Sequence, residues 1–474
     1  MNGTSRKVSC TREGQPRRAV FLVAACALAS AALLFGLPAT AGDEPTANGA
    51  LAAYLAAADD SFAWREVRTG RVGSATYVEL LMTSQTWRGI PWKHQLFVLR
   101  PRHLDEHARQ ALLFVHGGRW KEEYETQAGQ SELPREALLF ARLAESIRAP
   151  LAVLRQVPFQ PIFDRREDAL IAYTFQQYLQ TGESDWPLLL PMVKSAVRAM
   201  DVVQQLTRER WSLPIEKFTV AGASKRGWTS WLTAAIDPRV AGVAPMVIDV
   251  LNMKAQMALQ RATWGGLSEE IEDYSALDLP KRLESERGRE LLSVVDPYSY
   301  REQLTDPKLI LLSTNDRYWP LDALKLYWPD LPEPKRVLYV PNQGHSLRDV
   351  DRVIGALSAL HRYSTNGQRL PRLEWTFARA SDDLVVKVST DRPARLVRIW
   401  SAHSSDRDFR DAHWRSRRCS RKGDEHVCMA PAGQREYVAW FAEASFRDDH
   451  ELPFSLSTTV CLATREDSRL EDCK

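Results

Sequence analysis

Three residues of types that together perform acyl transfer occur in the order Ser224, Asp316, His345. Ser224 lies in FTVAGASKRG (218–227), where an apolar run breaks and an amphipathic segment follows from Trp228 to Ile236. A serine on a sharp strand-to-helix turn needs small neighbours, which Gly222 and Ala223 supply, and the helix start offers backbone NH groups to a developing oxyanion. The pattern departs from Gly-x-Ser-x-Gly, because Arg226 takes the second small position and the glycine comes one residue later, at Gly227. The competing reading is a serine that only caps a helix. Asp316 ends LILLSTND (309–316) and would fix the tautomer of an imidazole; Asp322 is the alternative acid. Among ten histidines, only His345 follows an apolar run and a glycine after that acid, in VPNQGHS (340–346). FVHGGR (114–119) can bring a backbone NH of Gly118 or Arg119 close to a tetrahedral intermediate, and the NH of Lys225 would complete the oxyanion hole. Each motif alone is a polar loop or a glycine turn; together they predict a serine hydrolase that forms an acyl-enzyme.

Such residues must be held at strand ends. Apolar, β-rich runs occur at 95–100, 111–115, 151–154, 218–221, 240–248, 309–313 and 337–340, alternating with helical patterns such as 138–147 and 192–206. In the second helix, Met192, Val193, Ala196, Met200 and Val203 share one face. Alternation of this kind predicts an α/β-hydrolase fold with a mainly parallel sheet over residues 42–368. From about residue 369 the texture changes to short strands at 372–378, 384–389, 394–400, 437–443 and 455–463. That predicts a C-terminal antiparallel β-sandwich of immunoglobulin or fibronectin type over 369–474. The stretch 251–303 is too long for a plain crossover and is expected to form a cap. Met253, Met257, Trp264 and Tyr274 could line a cleft or simply pack the cap, whereas Trp120, Phe159, Tyr318 and Trp319 follow proposed strand ends and are the better pocket candidates. Lys225 and Arg226 could meet an anionic substrate group, or Arg226 could pair with Glu167 or Asp168.

Residues 1–41 carry five basic side chains, an apolar run from Ala19 to Leu37 and Ala39-Thr40-Ala41, a secretory leader. Arg17-Arg18 would suit a twin-arginine route, and Val23 to Cys26 resembles a lipoprotein box, but the apolar sequence continuing past Cys26 disfavours lipidation. The leader holds the excess positive charge of a chain whose formal net charge is +3, so overall basicity gives no reason to expect nucleic acid as a partner. No second apolar stretch reaches the roughly 18 residues of a membrane span, so a periplasmic or secreted protein is expected. Four cysteines fall near the end of the chain, and in an oxidising compartment local pairing of Cys419 with Cys428 and Cys461 with Cys473 is expected. No nucleotide loop or cofactor fingerprint is present. The string HLDEH (103–107) matches a zinc-protease pattern but lies in a short link between strands, so no metal is expected. A basic run, Arg415, Arg417, Arg418, Arg421 and Lys422, is either a solvated hairpin or a contact for an anionic envelope surface.

The chain resembles the PhoPQ-activated pathogenicity-related proteins, a branch of the α/β-hydrolase superfamily. The resemblance rests on SQTW (84–87) with Trp92 and His94, Glu167-Asp168 leading into IAYTF (171–175), Pro191-Met192 through AMD (199–201), Gly222 to Trp228, TND (314–316), Gly344-His345 and DFR (408–410). It implies a hydrolase-like fold with a β-rich tail in an exported bacterial protein, and a link to envelope stress or antimicrobial-peptide resistance in some members. It implies no settled substrate. An esterase is the first expectation, a peptidase or amidase the second, and a non-catalytic envelope ligand-binding protein the rival from another class.

Overall fold

In the computed structural model of the chain, residues 47–130, 132–380, 383–431, 437–464, 470 and 473 are described; the leader predicted at 1–41 lies outside them. The apolar runs form strands: most extend the predicted ones by a residue or more, the one at 151–154 coincides with its prediction, and the one predicted at 240–248 ends two residues earlier. They are β3 (Ile90–Arg100), β4 (Gln110–Val115), β5 (Leu151–Leu154), β6 (Lys217–Ala223), β7 (Val240–Met246), β8 (Lys308–Ser313) and β9 (Lys335–Val340). Before them stand β1 (Ala63–Val72) and β2 (Ala75–Trp87), which the sequence reading missed. In β1 the interspersed Arg, Glu and Thr side chains leave no apolar period to detect.

The strands run in the order β1-β2-β3-β5-β4-β6-β7-β8-β9. Pairs from β5 to β9 are parallel, and β1, β2 and β3 join antiparallel. This is a mixed α/β fold with a large, mainly parallel central sheet. Every residue of β8 is buried, and all but one of β4, as a sheet covered on both faces requires. The helix Leu189–Trp211 contributes to that cover, burying Met192, Val193, Ala196, Met200 and Val203 together. Because β4, β6, β8 and β9 are parallel, residues 116–119, 224, 316 and 345 all leave the sheet at the same edge. Parallel order thus assembles a site from segments more than two hundred residues apart.

The C-terminal strands are β10 (Leu373–Ala380), β11 (Asp383–Thr390), β12 (Leu396–Ser404), β13 (Arg415–Arg418), β14 (Ser420–Lys422), β15 (Glu425–Pro431), β16 (Tyr437–Arg447), β17 (Pro453–Ser457) and β18 (Cys461–Ala463). One antiparallel sheet has the order β10-β11-β15-β14, while β17-β16-β12-β13 continue the central sheet through the pairing of Ser457 with Val337 of β9. Phe377 of β10 packs edge-on to Trp440 of β16, 5.7 Å between centroids, where the two sheets meet. The predicted strand at 455–463 is two strands, because the Thr458 hydroxyl accepts the Ala442 NH in place of a ladder carbonyl. Disulfides join Cys419 to Cys428 and Cys461 to Cys473, the pairs expected from locality. The first of them links the end of β13, in the central sheet, to β15 in the other. The basic run lies on β13 and β14, and its five side chains are exposed. Residues 103–107 form an irregular link with turns at 102–103 and 106–107, and His103 Nδ1 lies 3.4 Å from Glu145. Among the described residues no helix is long and apolar enough to cross a membrane.

Candidate active site

β6 ends at Ala223, and the helix Lys225–Ile236 begins at once, so the chain reverses at Ser224 with φ +57° and ψ −132°. That conformation is costly for a residue with a Cβ and persists only where the surroundings enforce it. A Cβ at Gly222 would stand 2.5 Å from the Arg226 carbonyl oxygen, and one at Gly227 would stand 2.7 Å from Ile248 and 2.8 Å from the Gly222 carbonyl. The tight approaches therefore fall at 222 and 227 and not at 226, which explains the displaced glycine. The Ser224 hydroxyl makes no capping hydrogen bond, so helix capping does not account for this serine. Its backbone is fixed instead, with NH donating to the Met246 carbonyl at 2.8 Å. Lys225 is the first helical residue, and its NH is among those a helix leaves without an internal partner.

On the neighbouring loops, His345 Nδ1 lies 2.9 Å and 3.1 Å from the two carboxylate oxygens of Asp316, leaving Nε2 as the other ring nitrogen. Asp322 is engaged elsewhere, by Lys325 at 2.6 Å and Arg407 at 3.0 Å. The C-terminal segment braces both loops. Asn315 donates to the carbonyls of Phe409, Arg410 and Ala412, and Asn342 exchanges hydrogen bonds with the backbone of Trp414. Behind Asp316, Asp249 is buried and accepts the Tyr327 hydroxyl at 2.5 Å. Burial pushes its carboxyl up to about 7, and the charges of Asp316 and Asp322 add to the rise.

The two basic residues after Ser224 are held by acids. Arg226 makes a bidentate pair with Glu167, both bonds 2.8 Å, and donates through Nε to the Val157 carbonyl at 2.5 Å. Lys225 Nζ lies 3.1 Å from Glu167 and 3.0 Å from Asp168. Partial burial alone would raise the Glu167 carboxyl, but the Arg226 hydrogen bonds and charge, with Lys225, hold it down to about 2. Glu167 itself has φ +52°. Gln160 extends the clamp, donating to Glu167 at 2.5 Å and to the Gly118 carbonyl at 3.0 Å. The guanidinium also fills the space beside Gly117, where a Cβ would meet it at 2.6 Å, and Gly118 has φ +131°, a conformation that favours glycine. Gly117 is thus favoured by the Arg226 side chain packed against it, and Gly118 by its own backbone conformation.

Ser224, Lys225 and His345 line one cavity of about 80 Å³. Tyr318 and Trp319 line it too, with Met253, Met257 and Tyr274 from the segment between β7 and β8. Among the described residues no hydrogen bond joins Ser224 to His345; such contacts are often long before substrate binds. Several predicted pocket residues lie outside the lining. Trp120 and Phe159 stack on each other at 5.8 Å, and Phe159 packs on Trp92. Arg226 is spent on Glu167, Trp264 lies under Arg410 at 4.3 Å, and Gly118 and Arg119 are not in the lining. Phe175, Trp228 and Asp168 line the cavity but were not foreseen there. Trp228 could have been found, because it sits four residues after Ser224, one helical turn along the same face. A serine–histidine hydrogen bond does occur elsewhere, Ser84 to His94 at 3.0 Å, fully buried with Ser195 and Gln85. Burial holds the His94 imidazole neutral, with a pKa of about 4. With no exposed surface at either residue, this pair belongs to the packing of β2 and β3.

Comparison with known proteins gives the family of the chain. A curated relative, autocrine proliferation repressor protein A of Dictyostelium discoideum, is 31% identical over 386 residues, spanning 75% of this chain and 75% of that one. Solved structures are looser matches. An acetyl xylan esterase from Paenibacillus sp. R4 is 14% identical with a TM-score of 0.43, covering 63% of this chain and 88% of that one. Acetyl xylan esterase 1 from Thermoanaerobacterium sp. JW/SL YS485 is 15% identical with a TM-score of 0.43, covering 66% and 93%. The model of the PhoPQ-activated pathogenicity-related proteins matches residues 51–410, and with a relative this similar over three quarters of its length, the chain belongs to that family.

Proposed function

We propose that this protein is an exported serine hydrolase, with Ser224 as nucleophile, His345 as general base and then acid, and Asp316 orienting the imidazole. The observation that carries the reading is Ser224 itself. It is held at a strained turn, its hydroxyl is free of capping duty, and it faces the same cavity as an imidazole whose Nδ1 is taken by a buried carboxylate. In the first half-reaction the Ser224 oxygen adds to the substrate carbonyl while His345 Nε2 takes its proton. Collapse then expels the alcohol, which receives that proton, and leaves an acyl-enzyme. In the second half-reaction water attacks by the same exchange and releases the acid. The NH of Lys225 is the first oxyanion donor in this scheme, and a backbone NH from Gly118 or Arg119 is the second. No cofactor is required.

The substrate side of the proposal follows from the cavity. At about 80 Å³, and lined chiefly by apolar side chains such as Phe175, Trp228, Ile248 and Met257, it suits a short acyl group. An ester is preferred over an amide as substrate class. The purified protein, with the leader removed, is expected to react with a fluorophosphonate probe at Ser224, and His345→Ala is expected to abolish that labelling. Among p-nitrophenyl esters, acetate and propionate should be turned over at least tenfold better than octanoate in kcat/KM. Folded protein that neither takes up the probe nor turns over any ester would be a binding protein on a hydrolase-like scaffold, and the proposal would fail.

A further inference from the structure

The ring of Tyr318 lies on the imidazole of His345, with 4.2 Å between centroids and 30° between planes. The same residue is tied at three other points. Its NH donates to Asp316 Oδ1 at 3.0 Å, its carbonyl accepts from Gln260 at 3.0 Å, and its hydroxyl reaches Asp168 at 3.4 Å. Asp168 in turn accepts the Tyr274 hydroxyl at 2.9 Å and pairs with Lys225, the residue after the nucleophile. One aromatic side chain therefore touches the base, is bonded through its backbone to the acid, and is tethered through its hydroxyl to the nucleophile's turn.

We infer that Tyr318 is a positioning residue for His345, its stacked ring fixing the imidazole plane between Asp316 and Ser224 and its π face favouring the imidazolium that proton transfer from Ser224 creates. The inference rests on the hydrolase reading for its role in turnover, but the contact with His345 stands independently of it. Two physical effects are involved. A ring gripped on one face has lost the rotation about its side-chain bonds that would otherwise carry Nε2 away from the serine, so the ordering is already complete when substrate arrives. The negative face of an aromatic ring also attracts a cation placed over it. The His345 side chain is 28% exposed, so the stack leaves the imidazole partly open to the cavity and solvent. The groups that face the imidazole or its cavity are Asp316, Tyr318, Asp168, Lys225 and Tyr274. Asp316 and Tyr318 contact the ring directly. Burial raises the Tyr318 phenol well above its ordinary range, with Asp168 adding to the rise, so it remains neutral and presents no competing charge.

The test compares wild type, Tyr318→Phe and Tyr318→Leu by two measurements. The first is an NMR titration of His345, assigned by loss of its signal in His345→Gln, which reads the contact whether or not the protein is catalytic. Tyr318→Leu should move the His345 titration to lower pH, as loss of a cation–π contact requires, and Tyr318→Phe should leave it in place. The second is the pH profile of kcat/KM for p-nitrophenyl acetate. The acidic limb should move to lower pH in Tyr318→Leu, with kcat falling about tenfold and KM nearly unchanged, while Tyr318→Phe retains the limb and loses only a few-fold. If Tyr318→Leu does not fold, Tyr318→Met, which also lacks the ring, serves the same comparison. An unshifted His345 titration in a folded variant without the ring would overturn the inference. Wild-type protein with no turnover, but with the titration shifted in Tyr318→Leu, would uphold the contact and instead remove the hydrolase reading.

Discussion

Ser224→Ala is expected to lower kcat/KM for a short-chain ester by roughly 10⁴-fold or more, with the unfolding temperature unchanged. The separation of the two effects follows from what the side chain does. The hydroxyl caps nothing, and the backbone bonds that hold the turn, from Ser224 NH to the Met246 carbonyl and from Trp228 NH to the Ser224 carbonyl, survive the change. Alanine also carries the same Cβ, so the strain at φ +57° neither rises nor falls. Steady-state kinetics beside a melting curve reads both quantities. A loss of only a few-fold would place the nucleophile elsewhere, and a large drop in melting temperature would assign Ser224 a structural duty that its contacts do not show.

Glu167→Ala is expected to be the largest single loss of stability near the site, about 2–4 kcal/mol. Arg226 and Lys225 have side chains only 10% and 8% exposed, and the change removes the bidentate partner of the first and one of two partners of the second. Stranding a cation in a fully enclosed pair costs about 3–5 kcal/mol. The figure here is lower because the Glu167 carboxylate is itself 43% exposed and screened by water. The pH dependence has a definite sign. A carboxyl held down to about 2 in the folded chain contributes stability that is fully present above its unfolded value and is lost as pH falls through the folded one. The gap between wild type and Glu167→Gln should accordingly be constant above about pH 5 and close as pH falls toward 2, measured by urea denaturation at each pH. A gap that does not change with pH would mean that the carboxylate's charge is not what holds the clamp. Activity should fall with stability, because the clamp also carries Gln160 and, through it, the turn at Gly118.

Much of the central sheet was legible because its strands are buried on both faces and so appear as unbroken apolar runs, β8 being the clearest case. The polar strand β1, carrying its arginines and glutamate, had no such signature. The glycines at 222, 227, 117 and 118 were legible as a demand for close approach, but what approaches them was not. Only the fold shows that the Arg226 backbone crowds Gly222 while its side chain crowds Gly117, so that one residue occupies the position where a glycine was expected and sets the need for two others. Trp120 and Phe159 follow strand ends, yet Phe159 packs on Trp92 and Trp120 on Phe159, outside the cavity lining, since proximity along the chain says nothing about which side of a loop faces the cavity.

By itself, the sequence determined the order of the chemistry-bearing segments, the alternation that forces a mainly parallel sheet, the local pairing of the cysteines and the turn at Ser224. These are short-range properties, set by periodicity, by glycine and by separations of a dozen residues or fewer. Tertiary structure decided which acid meets His345, which residues wall the cavity, where Arg226 is spent, and that Asn315 and Asn342 are braced by the C-terminal segment. Those contacts join residues about thirty to a hundred positions apart, and their geometry exists only once the strands have taken their order in the sheet.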